Sequence, residues 1–400
     1  MKQTAVEILE YINSLRVISS HNHHLSDELY RGLDLNGILQ NSYANWADTP
    51  PDINDAAAVD EFLNRTRCNS FVRWICDAFE QLYGVPFTGK TALLLNETIK
   101  TAYAKNENQH LDILQKNCRF DKIINDRQPV PGYDLGHPEL FAPSFRCDGF
   151  FSGYLKDKPE PNGFFPYSLF EENSVHSLPG YLEQMRLAIK AKKQSGCVAL
   201  KVAIAYERPL NFENTDIDKA AKAFNNREAT EKEILDFGDV VMFHIAEAAA
   251  DFSLPLQIHT GMGQCRGTNP MQLLTLIERN PNTTFHLLHG GFPWLSDTFA
   301  LLMQFKNVYT DTCWIPYLST TAATQYIIEA LEVAGAHRLT WGDDAWMAED
   351  SYGALLAMEH ALSNALVRMI EDGAIDLPYA LYIAKRMMHD NAKELFDICD

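Results

Sequence analysis

The sequence predicts an α/β chain folded as a distorted (β/α)8 barrel of the TIM type, with a helical insertion after the first strand. Three observations carry this expectation. Eight short apolar runs recur along the 400 residues, helical patterns separate several of them, and four of the runs end on a polar residue of a type that ligates cations. The runs are 17–20, 120–126, 140–148, 198–203, 254–259, 284–289, 307–311 and 339–343, and helical periodicity covers 178–194, 231–252, 271–279, 294–305 and 322–334. A closed barrel follows from that alternation, with a doubly wound open sheet as the runner-up.

Taken in order, residues 1–12 form an amphipathic helix, because acidic residues interrupt the apolar periodicity and no small-residue cleavage site follows. The first strand ends in His21-Asn22-His23-His24. Residues i and i+2 of an extended chain share a face, so His21 and His23 can hold one cation together. A pair of surface histidines in a turn is the bland alternative. His24 points away from that face and reads as a structural or supporting residue.

Residues 25–117 then show periodic apolar positions and no strand pattern. They read as an α-helical insertion capping the site, while 1–24 and 118–400 make the barrel. Inside the insertion, Gly84-Val85-Pro86-Phe87-Thr88-Gly89-Lys90-Thr91 has the letters of a phosphate-binding loop. The segment before it is helical rather than a strand, and Pro86 removes an N–H donor, so a helix-ending glycine followed by a turn is preferred. The Pro/Gly-containing stretch 156–166 reads as a loop within the domain.

Composition narrows the function. With 46% hydrophobic and 22% charged residues the chain has ample material for a large core. A net charge of −19 with no basic stripe argues against nucleic acid, and no segment has the uncharged length of a membrane span. Eight scattered cysteines without framework spacing read as reduced thiols, which implies a cytoplasmic protein. The expected partner is a small-molecule substrate, and a homo-oligomer is expected from class alone.

Parallel barrels carry their chemistry at the C-terminal tips of their strands. Those tips offer Lys201 on strand four, His259 on strand five, His289 on strand six, and Asp343 and Asp344 on strand eight. Each has a bland reading: a lysine can run its stem along the barrel, and a lone histidine is more often a hydrogen-bonded core residue. Burying such groups at four strand ends without pairing or a metal would cost roughly several kcal/mol each, so a metal site is expected. Arg146, ending strand three, is a candidate clamp for a substrate carboxylate, or else a structural ion pair. Trp314, Trp341 and Trp346 stand near strand tips and are candidates for a pocket wall. His286 lies an odd number of residues from His289 and is expected to face the other way, packed beneath the helices.

This order of His-x-His, Lys, His, His and Asp on strands one, four, five, six and eight resembles the amidohydrolase superfamily of metal-dependent (β/α)8 enzymes. The runs Gln257-Ile258-His259-Thr260-Gly261-Met262-Gly263, Leu288-His289-Gly290-Gly291-Phe292-Pro293-Trp294 and Met388-His389-Asp390-Asn391-Ala392-Lys393-Glu394-Leu395-Phe396 are most similar to its amidohydrolase-related branch, near the nodulin/FluG type. The resemblance covers about 15–25 and 120–400 and leaves the insertion outside. It implies that His21, His23 and His259 ligate metal. It implies further that Asp344, which suits the pattern better than Asp343, touches the metal and takes a proton from water. His289 either completes a second metal site or handles protons, and Lys201 either is carboxylated and bridges two ions or leaves the site mononuclear.

Imidazole and carboxylate donors suit zinc, one or two ions, or manganese where oxygen ligands dominate. A cation with an open position lowers the pKa of bound water to about 7. The function expected is therefore metal-dependent hydrolysis of a small amide, lactone or ester. A non-oxidative decarboxylase, a sugar-acid isomerase and a non-catalytic metal-stabilised binding module are the alternatives.

Overall fold

The structure is a computed structural model that describes residues 2–126, 132–157, 165–172 and 174–398. Eight strands form one sheet in sequence order, parallel, with helices between them, in a (β/α)8 barrel. They are β1 (Val17–Asn22), β2 (Phe120–Asn125), β3 (Phe141–Arg146), β4 (Ala199–Val202), β5 (Leu256–His259), β6 (Phe285–Leu288), β7 (Val308–Asp311) and β8 (Leu339–Thr340). All six residues of β1 and all four of β4, β5 and β6 are buried. Strands covered on both faces need apolar side chains at every position rather than every second one, which is why these runs are continuous in the sequence.

The chain divides into two compact units. The first comprises Met1–Ile123, Leu135–Phe141 and Thr312–Ala392, and the second Ile124–Asp134, Ala142–Asp311 and Lys393–Asp400. In the second unit the register pairs Arg146 with Lys201, Lys201 with Gln257, Gln257 with His286 and His259 with Leu288.

Between β1 and β2 every described element is a helix, chiefly Leu35–Gln40, Ala56–Thr66, Ser70–Tyr83 and Ala92–Lys105. They bury a core of their own that includes Tyr30, Ile38, Phe62, Ile75, Phe79 and Leu95, together with Met347. Asn69 caps the third of these helices by accepting from the Phe71 and Val72 amides, and Gly84 ends it at φ 68°. Glycine adopts that left-handed conformation without strain, so the phosphate-loop letters begin at a helix terminus. The Gly89 amide of the same segment donates to Asp60 Oδ1 at 2.8 Å, which engages a donor that a phosphate would need.

The later helices follow the periodicity closely. Leu178–Gln194 starts at Ser177, whose side chain accepts from the Gly180 amide, and Glu231–Asp251 starts on a Thr230/Glu233 capping box. The helix expected over 271–279 opens with a 3-10 turn, Pro270–Leu273, and continues as Leu274–Arg279. Strand eight, Leu339–Thr340, is shorter than the expected 339–343, and Asp344 beyond it sits at φ 57°. Residues 158–164 of the loop expected at 156–166, and Cys399, lie outside the described residues.

Candidate metal centre

In the first unit, the tip of β1 meets the segment after β8. Ser20 N donates to Trp341 O at 2.8 Å, Asp344 N to His21 O at 3.1 Å, and His23 N to Ala345 O at 3.1 Å. The approach is close enough that a Cβ on Gly342 would lie 2.7 Å from His21 N and 2.8 Å from His21 O. Glycine is required there to let the two tips touch.

This pairing brings three predicted ligands together. Asp344 Oδ1 lies 3.3 Å from His21 Nε2 and 3.1 Å from His23 Nε2, and the two imidazole rings stand nearly perpendicular with centroids 4.7 Å apart. His21 is 1% exposed. Two imidazole nitrogens turned on one carboxylate oxygen form the donor set that zinc and similar divalent cations favour, so these residues fit such an ion. Asp344 is held by Tyr43, whose hydroxyl donates to its carbonyl at 2.8 Å and to Oδ2 at 3.0 Å. Outer contacts of that kind fix a ligand's orientation. Tyr43 comes from the helical insertion and carries no strand-tip signal, so the sequence reading missed it.

Asp343 is a fully buried anchor. Its carboxylate accepts from Ser19 Oγ, Asn22 Nδ2 and Ser351 Oγ, which leaves it tied into β1 and the helix Ala348–Glu371. Burial pushes its carboxyl up to about 6, with Asp344 nearby adding to the rise and the serine hydrogen bonds opposing it. His24 also has a holding geometry: Nδ1 lies 2.9 Å from Tyr30 Oη and 3.1 Å from Trp346 O, and Nε2 lies 3.2 Å from Ser351 Oγ. Burial, with His110 adding, brings it down to about 3.

Trp314 is 3% exposed and stands at φ 66°. Its ring packs 5.5 Å from Tyr43 and 5.7 Å from Trp46, while Trp346 stacks on His23 at 5.4 Å.

In the second unit, His259 and His289 face one another. His289 Nε2 is 2.9 Å from His259 Nδ1, and His259 Nε2 is 2.6 Å from Met262 O. A carbonyl only accepts, so His259 donates from Nε2 to Met262 O. His289 is non-glycine at φ 65°, and its amide donates to Asp311 Oδ1 at 2.7 Å. Tyr206, 51% exposed, lies with its ring 4.6 Å from His259.

Lys201 is 1% exposed and sits opposite Gln257, one same-face step before His259 on β5. Arg146 is engaged by two carboxylates. Its Nε donates to Asp126 Oδ2 at 3.0 Å and lies 3.7 Å from Asp148 Oδ2. Burial works against its charge, but these two carboxylates raise its pKa, and the structural ion pair is the arrangement observed. His286 corrects the expectation that it packs beneath the helices. Its Nδ1 lies 3.2 Å from Gln257 Nε2, on the β5 face that His259 shares. Counting residues fails there because the left-handed backbone at His289 breaks strand alternation.

Residues 222–398 match the family described as Amidohydro_2, Amidohydrolase. Protein fluG of Emericella nidulans is 29% identical over 150 residues, which is 36% of this chain and 17% of the length of that protein. Three solved structures share the fold along nearly the whole chain. Uronate isomerase from Thermotoga maritima has a TM-score of 0.77 at 18% identity, covering 98% of this chain and 97% of the other. Glucuronate isomerase from Caulobacter crescentus has 0.77 at 16% identity, covering 100% and 95%. A protein described as a candidate metal-dependent hydrolase from Lactobacillus casei has 0.70 at 16% identity, covering 98% and 97%. Coverage this complete takes in the helical insertion, which is thus part of a shared architecture. Residues 222–398 carry the likeness to that family, and the whole chain shares the barrel of these structures.

Proposed function

We propose that the chain is a metal-dependent hydrolase acting on a C–N or C–O bond of a small amide, lactone or ester. The observation that supports it is the His21, His23 and Asp344 set, three donors facing one point where β1 and β8 end. A divalent cation bound there, zinc before manganese, supplies Lewis acidity toward water and a carbonyl. Asp344, positioned by Tyr43, takes a proton.

The test joins elemental analysis of protein purified without added metal to a panel of amides, lactones and esters. The reading predicts metal content near one or two ions per chain, turnover that chelation abolishes, and loss of metal in His21→Ala. A chain that takes up neither zinc nor manganese would sink it.

The full-length fold match to uronate and glucuronate isomerases favours a second reading, interconversion of sugar-acid isomers. Metal-loaded protein that converts glucuronate to a ketose without hydrolysing any of the panel would select it.

A further inference from the structure

We propose that Glu349 and Asp350, the two acids in the first turn of the helix Ala348–Glu371, form a clasp that holds the helical insertion more tightly below neutral pH than above it. Both side chains are fully buried. Glu349 Oε1 accepts from Tyr83 Oη at 2.6 Å and from Tyr103 Oη at 3.0 Å. One carboxyl oxygen thus joins two helices of the insertion, Ser70–Tyr83 and Ala92–Lys105, to this turn. Asp350 accepts from Tyr317 Oη and from the Tyr43 amide. Met347, just ahead of the turn, belongs to the insertion's own core.

The partners decide the charge. Every donor to the two carboxyls is a tyrosine hydroxyl or a backbone amide, and among the described residues no lysine, arginine or histidine pairs with either. Arg119 pairs with Glu359 instead. The other titratable groups around them are Tyr30 and Cys118 on the Glu349 side and Asp343 and Cys76 on the Asp350 side, none of which supplies a positive charge. Ionising a carboxyl there removes its hydration with no cation in return, and the two charges would repel. Burial therefore raises both carboxyls, Asp350 to about 7, although the tyrosine donors favour the ionised forms. Burial pushes the Tyr83, Tyr103 and Tyr317 hydroxyls up as well, so they remain donors throughout. The closed insertion keeps protons that an opened one gives up, and rising pH across the neutral range favours opening. Tyr43 belongs to the held segment, with its amide on Asp350 and its hydroxyl on Asp344, so release also loosens a predicted ligand.

Hydrogen exchange read by mass spectrometry tests the clasp, in wild type and in the double variant Glu349→Gln, Asp350→Asn. It is measured at about pH 6 and about pH 8, with each rate divided by its intrinsic value. In wild type, protection across 70–83 and 92–105 should fall about tenfold or more between the two, the loss that a carboxyl at about 7 supplies over that range. It should end below the protection of the helix Glu231–Asp251. In the double variant the fall should be absent. Wild-type protection that is the same at both pH values would overturn the clasp. So would a fall that persists undiminished in the double variant, or in both single variants if the double variant does not fold. Equal protection of the insertion and Glu231–Asp251 at both pH values would mean that the chain opens as a whole, and would overturn release of the insertion.

Discussion

Replacing Asp350 by asparagine should make the protein's stability less dependent on pH. Asp350 is fully buried in the first turn of the helix Ala348–Glu371, where it accepts from Tyr317 Oη at 2.6 Å and from Tyr43 N at 3.3 Å. Burial pushes its carboxyl from the ordinary 3.8 up to about 7, against those two hydrogen bonds. Between these values the folded chain keeps a proton that the unfolded chain has released. The contribution to stability is therefore complete below the unfolded value and is lost as pH rises through the folded one, at about 1.4 kcal/mol per pH unit where it is steepest. From about pH 5 to about pH 8 the loss integrates to about 2.5 kcal/mol. Asparagine keeps the size and an acceptor for Tyr317 but cannot ionise. The difference in unfolding free energy between Asp350→Asn and wild type should thus move by that amount in favour of the variant over that range. Urea titrations at several pH values, followed by tryptophan fluorescence, measure the difference, and subtraction removes the titration of carboxylates that do not interact with Asp350. A difference that stays constant with pH would mean that Asp350 is ionised in the folded chain, and the reasoning from burial would fail.

Three further outcomes are expected. Gly342→Ala places a methyl against the His21 backbone and should cost about 2 kcal/mol or more while lowering metal uptake; unchanged melting temperature and unchanged zinc content would refute the close approach. Tyr43→Phe removes the hydroxyl that holds Asp344 and should lower zinc affinity roughly tenfold in a chelator competition, with the fold intact; wild-type affinity would take Tyr43 out of that role. Asp27 binds His110 Nε2 at 3.1 Å and His137 Nε2 at 2.9 Å, and although burial works to raise its pKa, these histidines hold it below 3.8. Its contribution is present above that value and lost as pH falls through the folded one, so Asp27→Asn should cost about 1 kcal/mol at neutral pH and flatten the acid limb of the stability curve; an acid limb identical to wild type counts against the pairing.

What could be read in advance depended on how local its cause is. The apolar runs were legible because a parallel barrel buries each strand on both faces, and His21 and His23 because extended geometry sets two residues on one face. Arg146 was legible only as two alternatives, since its carboxylate partner Asp126 belongs to another strand end. Tyr43 was not legible at all, because it reaches Asp344 across 301 residues of sequence. His286 was misplaced because strand alternation assumes extended backbone, and His289 stands at φ 65°.

The sequence by itself therefore determined the barrel, its helical insertion and the residue types at the strand tips, all of which follow from periodicity and burial along a few neighbouring positions. Only the tertiary structure decided that Asp343 anchors β1 while Asp344 faces the histidines, that His259 and His289 are each other's partners, and that Tyr43 of the insertion packs on Trp346, the ring that stacks on His23. Those outcomes depend on which side chains meet after the chain closes and on single backbone angles at strand ends. Neither is written in the local pattern of any one segment.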